Sequence, residues 1–372
     1  MNQTQLSVRV VGKSAFTEAR KKLKSSVFTA LNQHLIEHIE ASGTLKTWKG
    51  FRLYAIDGSK IRLPDVPDIH DYFGSMGNGD PEQSCPMGLA SACYDVCNDL
   101  LIDTNLSPAN GAERVQAIAH LNSMAANALA LYDRGYPAFW FMQAHVARGI
   151  DFCMRTPWNL FNETRDFYLS GAQEQIVTFT PERSAIQACQ AHGMSFAPIT
   201  VRLVRVALPD DEVEILITSV LDSNTIQADE FKALYHERWG VEEAFKRIKS
   251  RLEVENFSGK SVLAIKQDFF CAKLVTYNLT ALLAQAADPL VKAACRHCKY
   301  EYAVNHTQAL SRVKGAWVLL YHLTSVSLFE CLDQLITTIA QCREPIRPDR
   351  QFERKWVGKK KARFPMTYKR VL

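Results

Sequence analysis

The sequence predicts an α/β protein in which a β-rich segment interrupts an alternation of strands and helices. β-prone runs alternate with helical segments over residues 51–155, strands dominate residues 156–222, and helices dominate residues 228–342. Such alternation is typical of a sheet covered by helices. With 47% hydrophobic and 22% charged residues among 372, the chain can bury a real core. This composition excludes collagen-like, low-complexity and wholly disordered proteins.

The first predicted element is a helix over residues 14–39. Its apolar residues recur at helical spacings: Phe16, Leu23, Val27, Leu31 and Leu35. This periodicity is typical of a helix with one apolar face.

A hairpin is predicted next. Residues 51–57 form a β-prone run that ends at the turn signal Asp57-Gly58, and residues 59–63 alternate between polar and apolar. An Asp-Gly pair between two such runs is typical of a tight hairpin turn, so Asp57 is expected near the bend.

The later elements follow the same reasoning. A second pair of strands is predicted over residues 87–106, and a strand over residues 127–132 runs directly into Asp133. Further strands are predicted over 151–155, 175–179, 199–208 and 212–220, and helices over 112–124, 139–146, 228–252 and 262–286. Asp57 and Asp133 are thus expected where strands end, which is where open α/β sheets place ligands.

Charge is distributed unevenly along the chain, whose net charge is +5. Lys and Arg outnumber Asp and Glu by eleven to three in residues 343–372 and by nine to three in residues 1–52, so the middle of the chain is net acidic. Basic ends indicate a polyanionic partner such as nucleic acid, or else a solvated tail that improves solubility.

Neither a membrane span nor a secretory signal is visible, and a cytoplasmic protein is expected. The ten cysteines are scattered and are interpreted as free thiols. Cys295 and Cys298 have a CxxC spacing, but a structural zinc site usually needs a second ligand pair, which we do not find.

The most informative stretch is residues 235–249. On one continuous helix, Tyr235, Arg238, Glu242 and Lys249 fall within an arc of roughly 60°, with Lys246 beside them. One interpretation is an amphipathic helix with pairs such as Arg238–Glu242.

The other interpretation combines Glu242 with Asp57 and Asp133. Three carboxylates from distant positions can hold two divalent cations that act on phosphodiester bonds, while nearby Arg and Lys bind phosphates. Each Asp taken alone is also explained as a turn residue.

At these motifs the sequence resembles the DDE transposases of the IS-four group of bacterial insertion sequences. The resemblance is carried by Asp57 in Tyr-Ala-Ile-Asp-Gly-Ser, Asp133 in Tyr-Asp-Arg-Gly-Tyr, and the spacing Y-(2)-R-(3)-E-(6)-K from Tyr235 to Lys249. It extends over nearly the whole chain.

The resemblance implies an RNase H-like catalytic core with a β-rich insertion. The implied organisation is a helical basic region (1–48), two parts of the core (49–155 and 227–290), the insertion between them (156–226), and a helical C-terminal region with a basic tail (291–372). Asp57, Asp133 and Glu242 would be catalytic and bind two Mg²⁺ ions, for which Mn²⁺ substitutes.

The resemblance also implies the partners. Double-stranded DNA would bind as terminal inverted repeats and as target, through Tyr235, Arg238, Lys246 and Lys249. A homodimer in the synaptic complex and an association with the bacterial nucleoid are expected. Trp158 and Trp239 are candidates for stacking on a flipped base, although we expect Trp239 to pack in the core.

Only 56 residues precede Asp57, fewer than is usual in this group, so the module that recognises the DNA end is expected to be reduced, supplied by the basic tail, or truncated. Three alternatives remain open. They are an inactive DNA-binding remnant, a two-metal nuclease without strand transfer, and a carboxylate-pair glycosidase.

Overall fold

A central mixed sheet organises the computed structural model, which describes residues 12–76, 84–208, 212–271, 276–322 and 325–347. The strands are β1 (Arg52–Arg62), β2 (Ser75–Met76), β3 (Cys85–Asp95), β4 (Leu100–Pro108), β5 (Ala128–Tyr132), β6 (Asp151–Thr156), β7 (Glu174–Phe179), β8 (Ile199–Ala207) and β9 (Val213–Thr218). Within these residues the sheet has nine strands. Eight follow the order β2-β3-β1-β5-β6-β9-β8-β7, and the ninth, β4, also pairs with β3. A separate small ribbon pairs β10 (Tyr302–Val304) with β11 (Arg343–Pro345).

The helices cover both faces of this sheet. They are α1 (Lys13–Lys21), α2 (Ser26–Ala41), α3 (Pro67–Phe73), α4 (Glu113–Leu121), α5 (Phe139–Val146), α6 (Asn162–Ser170), α7 (Arg183–Ala191), α8 (Phe231–His236), α9 (Trp239–Ser250), α10 (Val262–Phe270), α11 (Asn278–Ala294), α12 (His306–His322) and α13 (Ser325–Gln341). The predicted α/β class is therefore confirmed.

Strand β1 is the centre of the fold because its two faces line two different cores. Tyr54 and Ile56 join one apolar cluster with residues of α4 and α5, whereas Ala55 and Ile61 join a second cluster with residues of α9 and α10. Successive side chains of a strand point to opposite faces. Asp57 therefore follows Ala55 on the α9 face, and position 58 lies on the α4 face.

The β-rich segment continues the same sheet. Strand β9 pairs antiparallel with β6, β8 with β9, and β7 with β8. Apolar side chains of β8 and β9 are fully buried, including Leu203, Val204, Leu216 and Ile217. The segment also contains α6 and α7, which the β-prone pattern did not predict.

The predicted hairpin at Asp57-Gly58 is wrong. Both residues lie inside the continuous 11-residue strand β1, where Asp57 pairs with Ala92 and Gly58 with Ser91 of β3. Gly58 is absent from the residues with positive φ, so the turn interpretation of this pair fails. Pairing along the whole of β3 overrides the local turn preference.

Two predicted helices are interrupted in the structure. Residues 14–39 divide into α1 and α2, and residues 228–252 divide into a short 3₁₀ turn, α8 and α9. The predicted helix over residues 262–286 contains α10 and the beginning of α11, and residues 272–275 between them lie outside the described residues. Between α8 and α9 the backbone forms i→i−3 bonds, from Arg238 N to Tyr235 O (3.2 Å) and from Gly240 N to Glu237 O (3.0 Å). Such tightening rotates the faces of the two helices relative to one another.

No helix in the described ranges is both long and apolar enough to cross a membrane. Most of the basic tail, from residue 348 onward, and the first eleven residues lie outside the described residues.

Candidate active site

Asp57 and Asp133 are brought together by the register of two parallel strands. Strand β1 pairs with β5 so that Ala55 lies opposite Leu131, and the same register continued by two residues sets Asp133 opposite Asp57. Neighbouring strands are about 4.8 Å apart. Asp133 comes directly after the end of β5, as predicted, whereas Asp57 lies in the middle of its strand and reaches this edge because β5 stops beside it.

The Asp57 carboxyl group is partly buried, and neighbouring charged side chains shift its pKa. Burial raises its pKa from 3.8 to about 7. The hydrogen bond from Gly58 N to Asp57 Oδ1 (2.8 Å) lowers the pKa, as does the charge of Arg238, while the charges of Asp133 and Glu242 raise it. Asp57 thus lies within electrostatic reach of both other predicted catalytic carboxylates.

The loop that carries Asp133 is held in place from α4. Asp133 Oδ1 accepts a hydrogen bond from Gly135 N (2.8 Å). The guanidinium group of Arg114, in the first turn of α4, donates two hydrogen bonds to the Gly135 carbonyl (3.1 and 2.7 Å). These bonds fix the direction of the Asp133 carboxylate.

Glu242 approaches from α9, which packs on β1 and β3. Gly240 permits this packing, because a Cβ there would lie 3.0 Å from a ring carbon of Tyr94. Glu242 Oε1 accepts a hydrogen bond from Arg238 Nη2 (2.9 Å). The Arg238 side chain is 8% exposed and the Glu242 side chain 30% exposed, so this i,i+4 pair belongs to the site rather than to an open surface.

A polar cluster around Asp99, which the sequence did not predict, holds α9 through Arg247. Asp99 accepts hydrogen bonds from the hydroxyls of Tyr94 and Tyr277 (2.6 Å each) and from Arg247 Nη1 (3.0 and 2.8 Å). Asp99 has a positive φ of 50°, which Asp tolerates better than most residues.

The predicted DNA-contacting residues do not share one exposed surface. Tyr235 is buried and its hydroxyl has no hydrogen-bond partner among the described residues. Lys246 is exposed and pairs with Glu243. Lys249 Nζ donates to Ser59 Oγ (2.6 Å) and to the Lys60 carbonyl (2.8 Å), which ties α9 to β1.

The expectation for Trp239 is wrong, because its side chain is 42% exposed. The guanidinium carbon of Arg238 lies 5.6 Å from the Trp239 ring centre, a cation–π contact at the beginning of α9. Trp158 is also exposed, at 46%, and stacks on Tyr168 with ring centres 5.2 Å apart.

The residues of the site suit a divalent cation by their chemistry. Their donors are carboxylate oxygens, which Mg²⁺ and Mn²⁺ prefer, and the Tyr136 hydroxyl beside them is buried without a described partner. In the described part of the chain, no three His, Cys, Asp or Glu side chains are already placed to hold a metal ion together. Glu242 is instead engaged by Arg238.

Comparison with known sequences identifies the class of protein. The family described as transposase DDE domain matches residues 48–279, which is more than half of the chain. The chain therefore belongs to the DDE transposase family. Its mixed sheet with helices on both faces agrees with the predicted α/β class.

Two curated transposases are similar to this chain in sequence. This chain is 22% identical to the transposase InsG for insertion sequence element IS4 of Escherichia coli (strain K12) over 271 residues. The matched residues are 72% of this chain and 60% of the relative. Over 132 residues, 35% of this chain and 44% of the relative, it is 26% identical to the putative transposase InsZ of the same strain. The predicted resemblance to the IS-four group is confirmed, and the chain spans about half the length of these curated relatives.

Similar solved structures include the cryo-EM structure of a piggyBac transposase synaptic complex with hairpin DNA, with a TM-score of 0.45 and 8% sequence identity. The similarity covers 77% of this chain and 57% of that chain.

Proposed function

We propose that this chain is a DNA transposase that binds transposon ends, cleaves them with divalent metal ions and joins the released 3′ end to target DNA. The observation that carries the proposal is the placement of Asp57 beside Asp133 by the β1–β5 register, with Glu242 within electrostatic reach. Membership of the DDE transposase family supports the same reaction class.

Asp57, Asp133 and Glu242 would hold the metal ions, which we propose to be two Mg²⁺ ions with Mn²⁺ as a substitute. Ions held there would lower the pKa of an attacking water or 3′-hydroxyl and neutralise charge on the phosphate oxygens. Burial and the charges of Asp133 and Glu242 raise the Asp57 pKa, and a nearby cation would favour its ionised form. Glu242 now accepts a hydrogen bond from Arg238, which it would have to give up in order to hold an ion.

The chain's own cations would position the substrate. Arg238 is fixed between Glu242 and the rings of Tyr235 and Trp239, so releasing Glu242 frees a rigid guanidinium for a neighbouring phosphate. The exposed Lys246 extends the positive surface on the same helix. Two ends must be brought together in the reaction, and we propose that a homodimer does so on terminal inverted repeats.

The test is an excision assay in which the DNA on both sides of the gene flanks a marker fragment. The parent protein with Mg²⁺ should release the marker, whereas Asp133→Ala should bind the same DNA without cutting it. Asp166→Ala is the matched control, because Asp166 is a highly exposed carboxylate of α6. Equal cleavage by parent and Asp133→Ala would contradict the assignment.

The same assay separates the alternatives. A pre-cleaved end with a free 3′-hydroxyl should be joined to a supercoiled plasmid by a transposase but not by a simple nuclease. A DNA-binding remnant would bind the ends and neither cut nor join them. A glycosidase would show no metal-dependent DNA chemistry.

Replacing Lys249 by Ala is expected to weaken binding of the end fragment and to reduce the salt dependence of binding by about one phosphate contact. The reason is that α9 presents its ammonium group beside Ser59 and Lys60, next to the site. The measurement is a titration of labelled end DNA at several salt concentrations, with Lys292→Ala on α11 as control. If the salt slope is unchanged while stability falls, Lys249 serves only to tie α9 to β1.

A further inference from the structure

The two ends of the central sheet differ in how their backbone is covered. At one end lies β4, and Asn32 of α2 donates to its carbonyls at Leu101 and Ile102 (3.2 and 3.1 Å). Asn278 of α11 accepts a hydrogen bond from Leu101 N (2.8 Å). Both asparagines are buried. Because side chains already bond these backbone groups, no further strand can pair with this edge.

Strand β7 forms the opposite edge, and among the described residues it pairs only with β8. Just before β7 begins, Arg205 N donates to the Gln173 carbonyl (2.8 Å). Hydrogen-bonded pairs recur at every second position of an antiparallel ladder. Continued along the β7–β8 register, this alternation turns three residues' N–H and C=O groups away from β8, those of Glu174, Ile176 and Thr178. No other group in the described ranges bonds them.

This edge lacks the features by which proteins usually prevent the addition of a strand. Strand β7 contains neither Pro nor Lys, and its register with β8 is continuous. Its one charged side chain, Glu174, is engaged by Arg202 of β8. The central residue, Ile176, is 57% exposed. Such an edge is a template for pairing with a strand of another chain.

We propose that β7 pairs antiparallel with β7 of a second copy of this chain, which joins the two central sheets into one. With a two-fold axis at Ile176, this residue faces the partner's Ile176, and Glu174 faces the partner's Thr178. This register pairs all three outward residues, buries the exposed Ile176 and sets no like charges opposite one another. The pairing involves no DNA, so it does not depend on the proposed function.

The experiment is sedimentation velocity of the full chain without DNA, over a wide range of protein concentration. The parent should self-associate. Ile176→Lys and Ile176→Glu should each weaken the association by about thirtyfold or more, because each sets two like charges across the axis. Leu290→Lys is the matched control, since Leu290 is an apolar residue of α11 that is 46% exposed.

A mixture of the two charge variants tests the register directly. Ile176→Lys and Ile176→Glu together should associate more tightly than either alone, because opposite charges then meet across the axis. The melting temperature shows whether each variant is folded. If Ile176→Lys fails to fold beside Arg202, which lies opposite Ile176 on β8, the loss of association in Ile176→Glu decides the question.

Three outcomes would overturn the proposal. The first is a parent that stays monomeric at submillimolar concentration. The second is a parent dimer that the charge variants leave intact, which would place the contact on another surface. The third is a mixture of folded charge variants that associates no better than the separate proteins.

Discussion

Replacing Asp57 by Asn is expected to reduce Mg²⁺-dependent DNA cleavage by about a thousandfold, while stabilising the metal-free protein above pH 7. The loss follows because a metal-binding carboxylate supplies several kcal/mol of transition-state stabilisation, and about 4 kcal/mol corresponds to a thousandfold in rate. The amide of Asn retains the shape of the side chain and an oxygen to accept the Gly58 N–H bond.

The gain in stability follows from the pKa of Asp57. Burial raises it to about 7 from 3.8, so the folded protein binds this proton more tightly than the unfolded chain does. The free energy of unfolding of the metal-free parent should therefore fall as the pH rises from 4 to 7, by on the order of 2–4 kcal/mol from this group. Asn has no proton to lose, so the variant should lack this part of the decline.

Urea unfolding at several pH values in the presence of EDTA, compared between parent and variant, measures the effect. Asp166→Asn is the control, since Asp166 is a highly exposed carboxylate. The prediction fails if the parent and Asp57→Asn lose stability with the same pH dependence. If Asp57→Asn cleaves DNA at the parent's rate, the predicted loss of cleavage is contradicted.

Replacing Arg52 by Met is expected to lower the free energy of unfolding by about 3–5 kcal/mol. Arg52 donates to Asp95 Oδ2 from Nε (2.9 Å) and Nη2 (2.6 Å), and the Asp95 side chain is completely buried. Without the guanidinium group, the donors to the Asp95 carboxylate that remain among the described residues are those of Asn98. A buried carboxylate with its charge uncompensated is among the most destabilising changes in a core.

The matched experiment is a double-mutant cycle with Asp95→Asn, followed by urea unfolding at pH 7. The double variant Arg52→Met/Asp95→Asn should recover a large part of the loss, because no buried charge is left unpaired. If its loss equals the sum of the two single losses, the ion pair does not carry the effect and Arg52 acts through packing.

The sequence predicted the family and the α/β class better than the course of individual strands and helices. Asp133 could be placed after a strand because its run of apolar residues is short and ends at turn residues. Asp57 could not, since an Asp-Gly pair signals a turn in isolation and only the full pairing of β1 with β3 shows that the strand continues. The interruption between α8 and α9 was likewise invisible, because right-handed helical residues flank it on both sides.

Local patterns in this chain were enough to predict the α/β class, the three acidic motifs and the family that carries them, because motif spacing and apolar periodicity are properties of neighbouring residues. The approach of Asp57 to Asp133 and the binding of Arg247 on α9 by Asp99 depend on contacts between segments far apart in the chain. Their physical basis is strand register and side-chain packing, which are set when those segments are brought together in the folded protein.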